Sequence, residues 1–255
     1  MINDEITEQK KFVFDIAYLS ECGGRPVNED SVAVECGQND ILILVADGLG
    51  AHGGGDIASK IAVDTAKKEY AETDRLTSKN IYEIFRKIDD AIVIKQTEEV
   101  KMKTTLSCVL FKNNRVYLAH LGDTRIYSFK FGKIFFTADH SVAYEEVMKN
   151  KGTLNDIRKN SNRHILKAAL GVGKIRPPDI SKQRIKPNLS VLICSDGFWE
   201  YVNEDNMREA LESTESSREW LEAMMKYHSE KTDEFNDNYS AVCVRIKKKF
   251  KEKKN

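Results

Sequence analysis

Ile41-Leu42-Ile43-Leu44-Val45-Ala46-Asp47-Gly48-Leu49-Gly50 is an apolar, partly β-branched run that stops abruptly at an acid and two glycines. A run of this length and composition reads as a buried strand, and its exit leaves Asp47 at the edge of a core. Carboxylates seldom occupy such places unless something positive accompanies them. The construction recurs at Val191-Leu192-Ile193-Cys194-Ser195-Asp196-Gly197 and at Val116-Tyr117-Leu118-Ala119-His120-Leu121-Gly122-Asp123. A fourth acid, Asp237, comes just before the strand-like Tyr239-Ser240-Ala241-Val242-Cys243-Val244. A single Asp-Gly pair marks a turn and nothing more. Several acids at similar strand exits, drawn from distant parts of one chain, favour a shared cation site.

Outward from these strands the chain reads as follows. Phe12 to Leu19 and Ser31 to Cys36 are strands, separated by the Gly-rich loop Glu21 to Asp30 that carries Arg25. Ile57, Ala58, Ile61, Ala62 and Ala66 form one apolar helical stripe; Ile81, Ile84, Phe85, Ile88 and Ile92 form a second, with Ser78 as the expected N-cap. Residues 104 to 137 read as antiparallel strands with turns at Asn113-Asn114 and Phe131-Gly132. From Ser141 to His164 the pattern breaks: a short helix over Val142 to Lys151, stopped by Gly152, leads into an Asn- and Lys-rich stretch, expected to be a mobile excursion from the sheet. After the strand to Asp196, one helix opens near Asn203, another carries Trp220, Leu221, Met224 and Met225, and a last strand spans Ser240 to Ile246. The order strands, helices, strands, helices, strand predicts a layered α+β sandwich. Residues 1–246 read as one domain, and the Lys-rich tail 247–255 has too little apolar content to fold.

At 255 residues the chain can bury a large core, and its 40 basic and 40 acidic side chains cancel. No global field therefore draws it to nucleic acid or to a membrane surface. No apolar run approaches the ~20 residues of a spanning helix. The polar, acidic N-terminus is unlike a secretory signal. Five scattered cysteines without a Cys-x-x-Cys pair fit a reduced, cytoplasmic setting.

The acids suit hard divalent cations, Mg²⁺ or Mn²⁺, which prefer oxygen ligands; no His-x-x-x-His accompanies them to favour zinc. Gly48 would let its own carbonyl turn toward such an ion. Two ions bridged by Asp47 would acidify a water for in-line attack on phosphorus. Arg25 could grip two phosphate oxygens or form a surface salt bridge, and its position allows either. Covalent routes lack their residues: no cysteine has Arg six positions on, and neither Gly-x-Ser-x-Gly nor a P-loop occurs. Among the histidines, His120 reads as a packed core residue, His140 as the orienter of a turn, and His52 as fixing a loop close to Asp47.

An ordered series of motifs resembles the metal-dependent serine/threonine protein phosphatases of type 2C, especially their compact bacterial branch. The series is Arg25-Pro26-Val27-Asn28-Glu29-Asp30-Ser31, Asp47-Gly48-Leu49-Gly50-Ala51-His52, Thr104-Thr105-Leu106, Gly122-Asp123-Thr124-Arg125, Asp139-His140-Ser141, Ala169-Leu170-Gly171, Ser195-Asp196-Gly197-Phe198-Trp199-Glu200 and Asp237-Asn238. The resemblance implies a four-layer αββα sandwich of two central antiparallel sheets flanked by helices. It implies two metal ions (Mn²⁺ or Mg²⁺) held by Asp47, the Gly48 carbonyl, Asp196 and Asp237, with Glu29 and Asp30 close by or acting through water. Arg25 would hold the substrate phosphate, Asp123 with Asp196 a weaker third ion, and residues 142–165 would form a flap. The implied activity is hydrolysis of phosphoserine and phosphothreonine by direct attack of a water or hydroxide bridging two divalent metals. The implied partners are phosphorylated proteins and a serine/threonine kinase with its substrates, with the enzyme itself expected to be a monomer. A pseudophosphatase that binds phosphoproteins without turnover would need a degraded acid set, which is absent; a metal-dependent nuclease fits poorly with the even charge balance. Three positions depart from the family pattern. Leu49 replaces a histidine proposed as general acid in eukaryotic members, Lys103 replaces the usual Gly, and Lys167 a frequent Arg.

Overall fold

The computed structural model describes residues 1–9, 11–50, 53–73 and 76–249. Twelve strands form two antiparallel sheets among these residues. The first contains β1 (Asn3–Glu8), β2 (Phe12–Glu21), β8 (Arg125–Lys130), β9 (Lys133–Phe136), β11 (Ser190–Cys194) and β12 (Tyr239–Lys248), in the order β1-β2-β12-β11-β8-β9. The second contains β3 (Asp30–Cys36), β4 (Asp40–Leu49), β6 (Leu106–Lys112), β7 (Arg115–Leu121) and β10 (Asp179–Arg184), in the order β10-β7-β6-β4-β3. The two-residue β5 (Lys103–Thr104) pairs with the end of β4.

The apolar run of β4 is continuous because both of its faces are covered. Ile41, Ile43 and Val45 point into a core between the sheets, where they meet Phe14, Ile16, Val109, Ile126, Val191, Ile193, Val242 and Val244. Leu42, Leu44 and Ala46 point the other way, onto α1 (Gly55–Ala71) and α2 (Ser78–Lys95). The outer face of the first sheet is covered in the same manner. Leu192, Cys194, Ala241 and Cys243 pack under α3 (Val142–Lys149), α4 (Leu154–Lys159), α5 (Asp196–Trp199), α6 (Glu204–Glu212) and α7 (Ser217–Ser229). The layers are thus helix, sheet, sheet, helix, as the resemblance implies.

Local details differ from the sequence expectations for identifiable reasons. Thr77, not Ser78, caps α2, its hydroxyl accepting from the Asn80 N–H at 3.1 Å. Ile57 lies 50% exposed on α1; Ala58, Ser59, Ala62, Val63 and Ala66 make its buried face. The hairpin turns stand, with positive φ at Asn113, Asn114, Phe131 and Gly132. The polar N-terminus forms edge strand β1, exposed along nearly its whole length and held to β2 by backbone pairing. The last strand runs two residues beyond Ile246, while tail residues 250–255 lie outside the described residues.

The excursion after Ser141 is docked on the body of the protein. Helix α3 ends at Lys149, and Lys151, not Gly152, takes the left-handed conformation. The Asn- and Lys-rich stretch contains α4, whose Ile157 is fully buried. Arg158 of α4 donates to the Trp199 carbonyl at 2.9 Å and to Glu204 at 2.9 and 3.0 Å.

Candidate metal centre

The acids meet at one end of the sandwich because alternation carries them there. Asp47 continues the row Ile41, Ile43, Val45, so its side chain emerges where the core between the sheets stops. Asp30 is its direct neighbour on β3, paired with it in register. Asp123 lies in the β7–β8 connection, Asp196 opens α5 after β11, and Asp237 precedes β12. Asp47, Asp123, Asp196 and Asp237 line one cavity of about 1420 Å³, together with Arg25, Glu29 and Gly48.

Threonines of the Thr104-Thr105 motif fix the Asp47 backbone. Thr104 Oγ1 donates to the Asp47 carbonyl at 2.8 Å, the Thr105 N–H does so at 2.9 Å, and Thr105 Oγ1 accepts from the Asp47 N–H at 3.0 Å. Ser107 donates to the Thr124 carbonyl at 2.7 Å, tying the Asp123 loop to the same strand. Asn238 organises the Arg25 loop: its amide donates to the carbonyls of Cys22 and Val27 and accepts from the Glu29 N–H.

Electrostatics set these acids apart from ordinary surface carboxylates. Burial, then the charges of Asp196, Asp30 and Asp123, push Asp47 well above the usual carboxylate range. Burial and Asp196 do the same to Asp123, and burial and Asp237 raise Asp196. Asp30 is pushed up to about 7 by burial, despite hydrogen bonds from hydroxyls. Ser195 donates to its Oδ2 at 2.7 Å, while Oδ1 is buried with no partner. Among the described residues no Lys or Arg comes within 4.0 Å of the carboxylates of Asp30, Asp47, Asp123 or Asp196. Oxygen donors crowded together without protein cations are what hard divalent ions require, so the donor set fits Mg²⁺ or Mn²⁺.

Asp237 and Glu29 line the same cavity in different surroundings. Arg25 holds Asp237 in a two-bond fork, Nε to Oδ1 and Nη2 to Oδ2, both at 3.1 Å. Of the two roles left open for Arg25, this is the salt bridge, made to a carboxylate whose paired oxygens offer the same two-point acceptor as two oxygens of a tetrahedral phosphate. Glu29 lies against the start of α1 with its carboxylate beside Gly55; burial raises it above the usual carboxylate range, and the Gly55 N–H at the helix N-terminus offsets part of that. Gly48 sits in regular strand rather than a turn; glycine is needed there because a Cβ would meet the Gly55 carbonyl oxygen at 2.0 Å. Gly48→Ala should push α1 away from Asp47 and cut activity at least tenfold, with weaker Mn²⁺ binding measured by calorimetry.

His164 went unseen in the sequence because nothing local marks it. It lines the cavity and comes together with Asp196 and Glu200 within 4.8 Å; Glu200 is pushed up to about 7 by burial and by Asp196. A second group, His120, His140 and Asp179, is equally close but is not a ligand set. The Gly122 N–H donates to His140 Nδ1 at 3.1 Å, which leaves the proton on Nε2 facing Asp179 at 3.3 Å. His140 therefore orients the Gly122 turn, where the sequence suggested the turn after Asp139, and His120 is 1% exposed in the core. His52 lies outside the described residues.

A sequence model described as Protein phosphatase 2C matches residues 24–239. The chain belongs to the protein phosphatase 2C family. A serine/threonine phosphatase, stp, of Listeria welshimeri is 32% identical over 203 residues, covering 75% of this chain and 80% of the relative. The solved catalytic domain of the serine/threonine protein phosphatase PstP in complex with two manganese ions is 25% identical, with a TM-score of 0.78, covering 92% of this chain and 99% of that one. The S. agalactiae serine/threonine phosphatase shares the fold at 22% identity and a TM-score of 0.80, over 91% of this chain and 99% of that one. The protein phosphatase 2C sandwich thus accounts for the two sheets and the flanking helices described above. Among the described residues no helix is long and apolar enough to cross a membrane.

Proposed function

We infer that this chain is a metal-dependent protein serine/threonine phosphatase, removing phosphate from phosphoserine and phosphothreonine in proteins. The observation that carries the reading is the set of mutually repelling carboxylates of Asp30, Asp47, Asp123 and Asp196, with no Lys or Arg within 4.0 Å among the described residues, at the mouth of a protein phosphatase 2C sandwich. Asp47, the Gly48 carbonyl, Asp196 and Asp237 would hold two divalent ions, with Asp30 and Glu29 close behind and Asp123 sharing a third with Asp196. Such ions, when bound, supply charge neutralisation and an acidified water for in-line attack on phosphorus. The protein's own part is positioning. The fork by which Arg25 holds Asp237 matches two oxygens of a phosphate equally well, so a substrate can take the place of that carboxylate. The threonine clamp keeps the Asp47 backbone from shifting as charge builds, and His164 lies on the cavity wall beside Asp196 and Glu200.

Residues 1–246 act as one catalytic domain in this reading, with 142–165 as the flap over the cavity. Phosphorylated proteins are the substrates, a serine/threonine kinase sets their phosphorylation, and the enzyme works as a monomer. Free thiols at all five cysteines support a reducing cytoplasmic setting.

Hydrolysis of a phosphothreonine peptide with Mn²⁺, with EDTA, and by Asp196→Ala tests the reading. Phosphate release that needs the metal and disappears in the variant is expected. Binding of the peptide without release, by metal-loaded protein, would point to the pseudophosphatase and overturn it. Arg25→Ala should raise KM about tenfold or more with a smaller loss in kcat, since it removes a charge-assisted fork to the phosphate.

A further inference from the structure

The cavity is electrically lopsided. Beside the acids, its lining carries a basic wall of Lys101, Lys103, Lys167, Lys174 and Arg176. The chain as a whole is neutral, so this concentration is local.

Alternation puts the cations there. In Lys101-Met102-Lys103 the methionine is 2% exposed and anchored in the core beneath α1 and α2, which leaves both lysines outside. In Lys174-Ile175-Arg176 the buried Ile175 does the same. The two segments are held side by side. Thr104 and Leu170 bridge through backbone bonds of 3.2 and 2.8 Å, and Gln96 Nε2 donates to the carbonyls of Met102 and Gly171 at 2.8 and 2.7 Å. From α2, the buried carboxylate of Asp89 accepts from the N–H groups of Gly171 and Val172 at 2.6 and 2.9 Å. The lysine stems therefore rise from fixed backbone.

Partners for these charges are few. Lys167 pairs with Glu145 and Arg176 with Asp179, but among the described residues no carboxylate lies within 4.0 Å of Lys101, Lys103 or Lys174. Among the described residues, Glu99 is the one acid of the cavity lining outside Glu29 and the four aspartates. Lys103 sits opposite Leu49 in the β4–β5 pairing, two residues past Asp47, so the wall begins where the reacting phosphate would lie.

Resting on the phosphatase reading above, we propose that this wall is a specificity subsite that selects phosphopeptides bearing carboxylates within a few residues of the phosphorylated Ser or Thr. Charges spread along two adjacent segments match a run of Asp and Glu side chains better than a single focused anion. Lysines on flexible stems serve such a run without demanding one fixed geometry.

The test compares three phosphothreonine peptides of equal length: one flanked by Glu and Asp, one by Ser and Gln, and one neutral but with a second phosphothreonine. With Mn²⁺-loaded wild type at low salt, the acidic peptide should have a kcat/KM about tenfold above the neutral one, expressed in KM. The advantage should shrink as salt rises. Lys101→Glu/Lys174→Glu, which leaves Lys103 beside the phosphate untouched, should remove most of it while turning over the neutral peptide at the wild-type rate and melting at the wild-type temperature. Lys174→Glu alone should weaken it partially and serves if the double variant folds poorly. Equal kcat/KM for the acidic and neutral peptides would overturn the proposal, as would preference for the doubly phosphorylated peptide alone. Failure to hydrolyse any of the three would instead remove the phosphatase reading itself.

Discussion

Asp47→Asn will lower metal-dependent phosphate release by about 10²–10³-fold or more, and it will raise the melting temperature of the metal-free protein. The two effects have one cause. Asp47 is held above the usual carboxylate range by burial and by Asp196, Asp30 and Asp123, so its charge opposes folding until an ion arrives. An amide keeps the shape without the charge, but cannot replace a carboxylate as ligand. Each pKa unit by which a folded-state carboxyl is raised corresponds to about 1.4 kcal/mol. Each kcal/mol is worth roughly 2–4 °C in a domain of this size. The same shifts fix a pH dependence. The unfolded chain releases these protons near pH ~3.9, the folded one at higher pH, so between those values the folded state binds more protons. Stability of the metal-free protein then falls as pH rises from about 4 through the folded-state values, that of Asp30 being about 7. Thermal melts at pH 5 and pH 8, with EDTA and with Mn²⁺, should show the wild type losing stability with pH, Asp47→Asn losing less, and Mn²⁺ recovering more at pH 8. A variant that melts lower than wild type in EDTA, with a wild type that gains stability over this range, would contradict the account.

Arg125→Met should be the most damaging substitution away from the acids. Arg125 has no exposed surface, and its fork meets Asp139 at 2.8 and 2.7 Å. It also donates to Tyr127 Oη at 3.0 Å and lies 3.5 Å over the Trp199 ring. Removing it strands Asp139 in the interior without a partner, which costs roughly 3–5 kcal/mol. On the scale above this is a drop of roughly 6–20 °C. Activity should fall as well, because Trp199 Nε1 donates to the Asp123 carbonyl at 3.0 Å and the ring's support would be gone. Arg125→Met/Asp139→Asn, which removes both charges, should recover most of the stability. A single variant within about 1 kcal/mol of wild type by denaturant melting would show that the pair contributes little.

Much of the architecture could be read locally. The run from Ile41 to Ala46 is apolar on both faces because a sheet lies on one side and helices on the other, and its composition states as much. The hairpin turns were legible because Asn113-Asn114 and Phe131-Gly132 interrupt clean strand patterns. Edge strands β1 and β10 were not, since Asn3–Glu8 and Asp179–Arg184 are polar and largely exposed, with backbone pairing as their main tie. Helix α4 was hidden for a similar reason: six residues with one buried apolar side chain make no stripe.

The chain's own order of residues determined that acids would follow apolar strands, that those strands would be buried, and to which family the motifs belong. Folding decided what each of those acids faces. Arg25 and Asp237 stand 212 positions apart and form a fork, Glu29 sits beside a helix start, and five cations collect in the lining of the same cavity. Burial and alternation are properties of neighbours along the chain, so they show in the sequence. Charge pairing depends on distances through space between remote segments, and those exist only once the sheets have stacked.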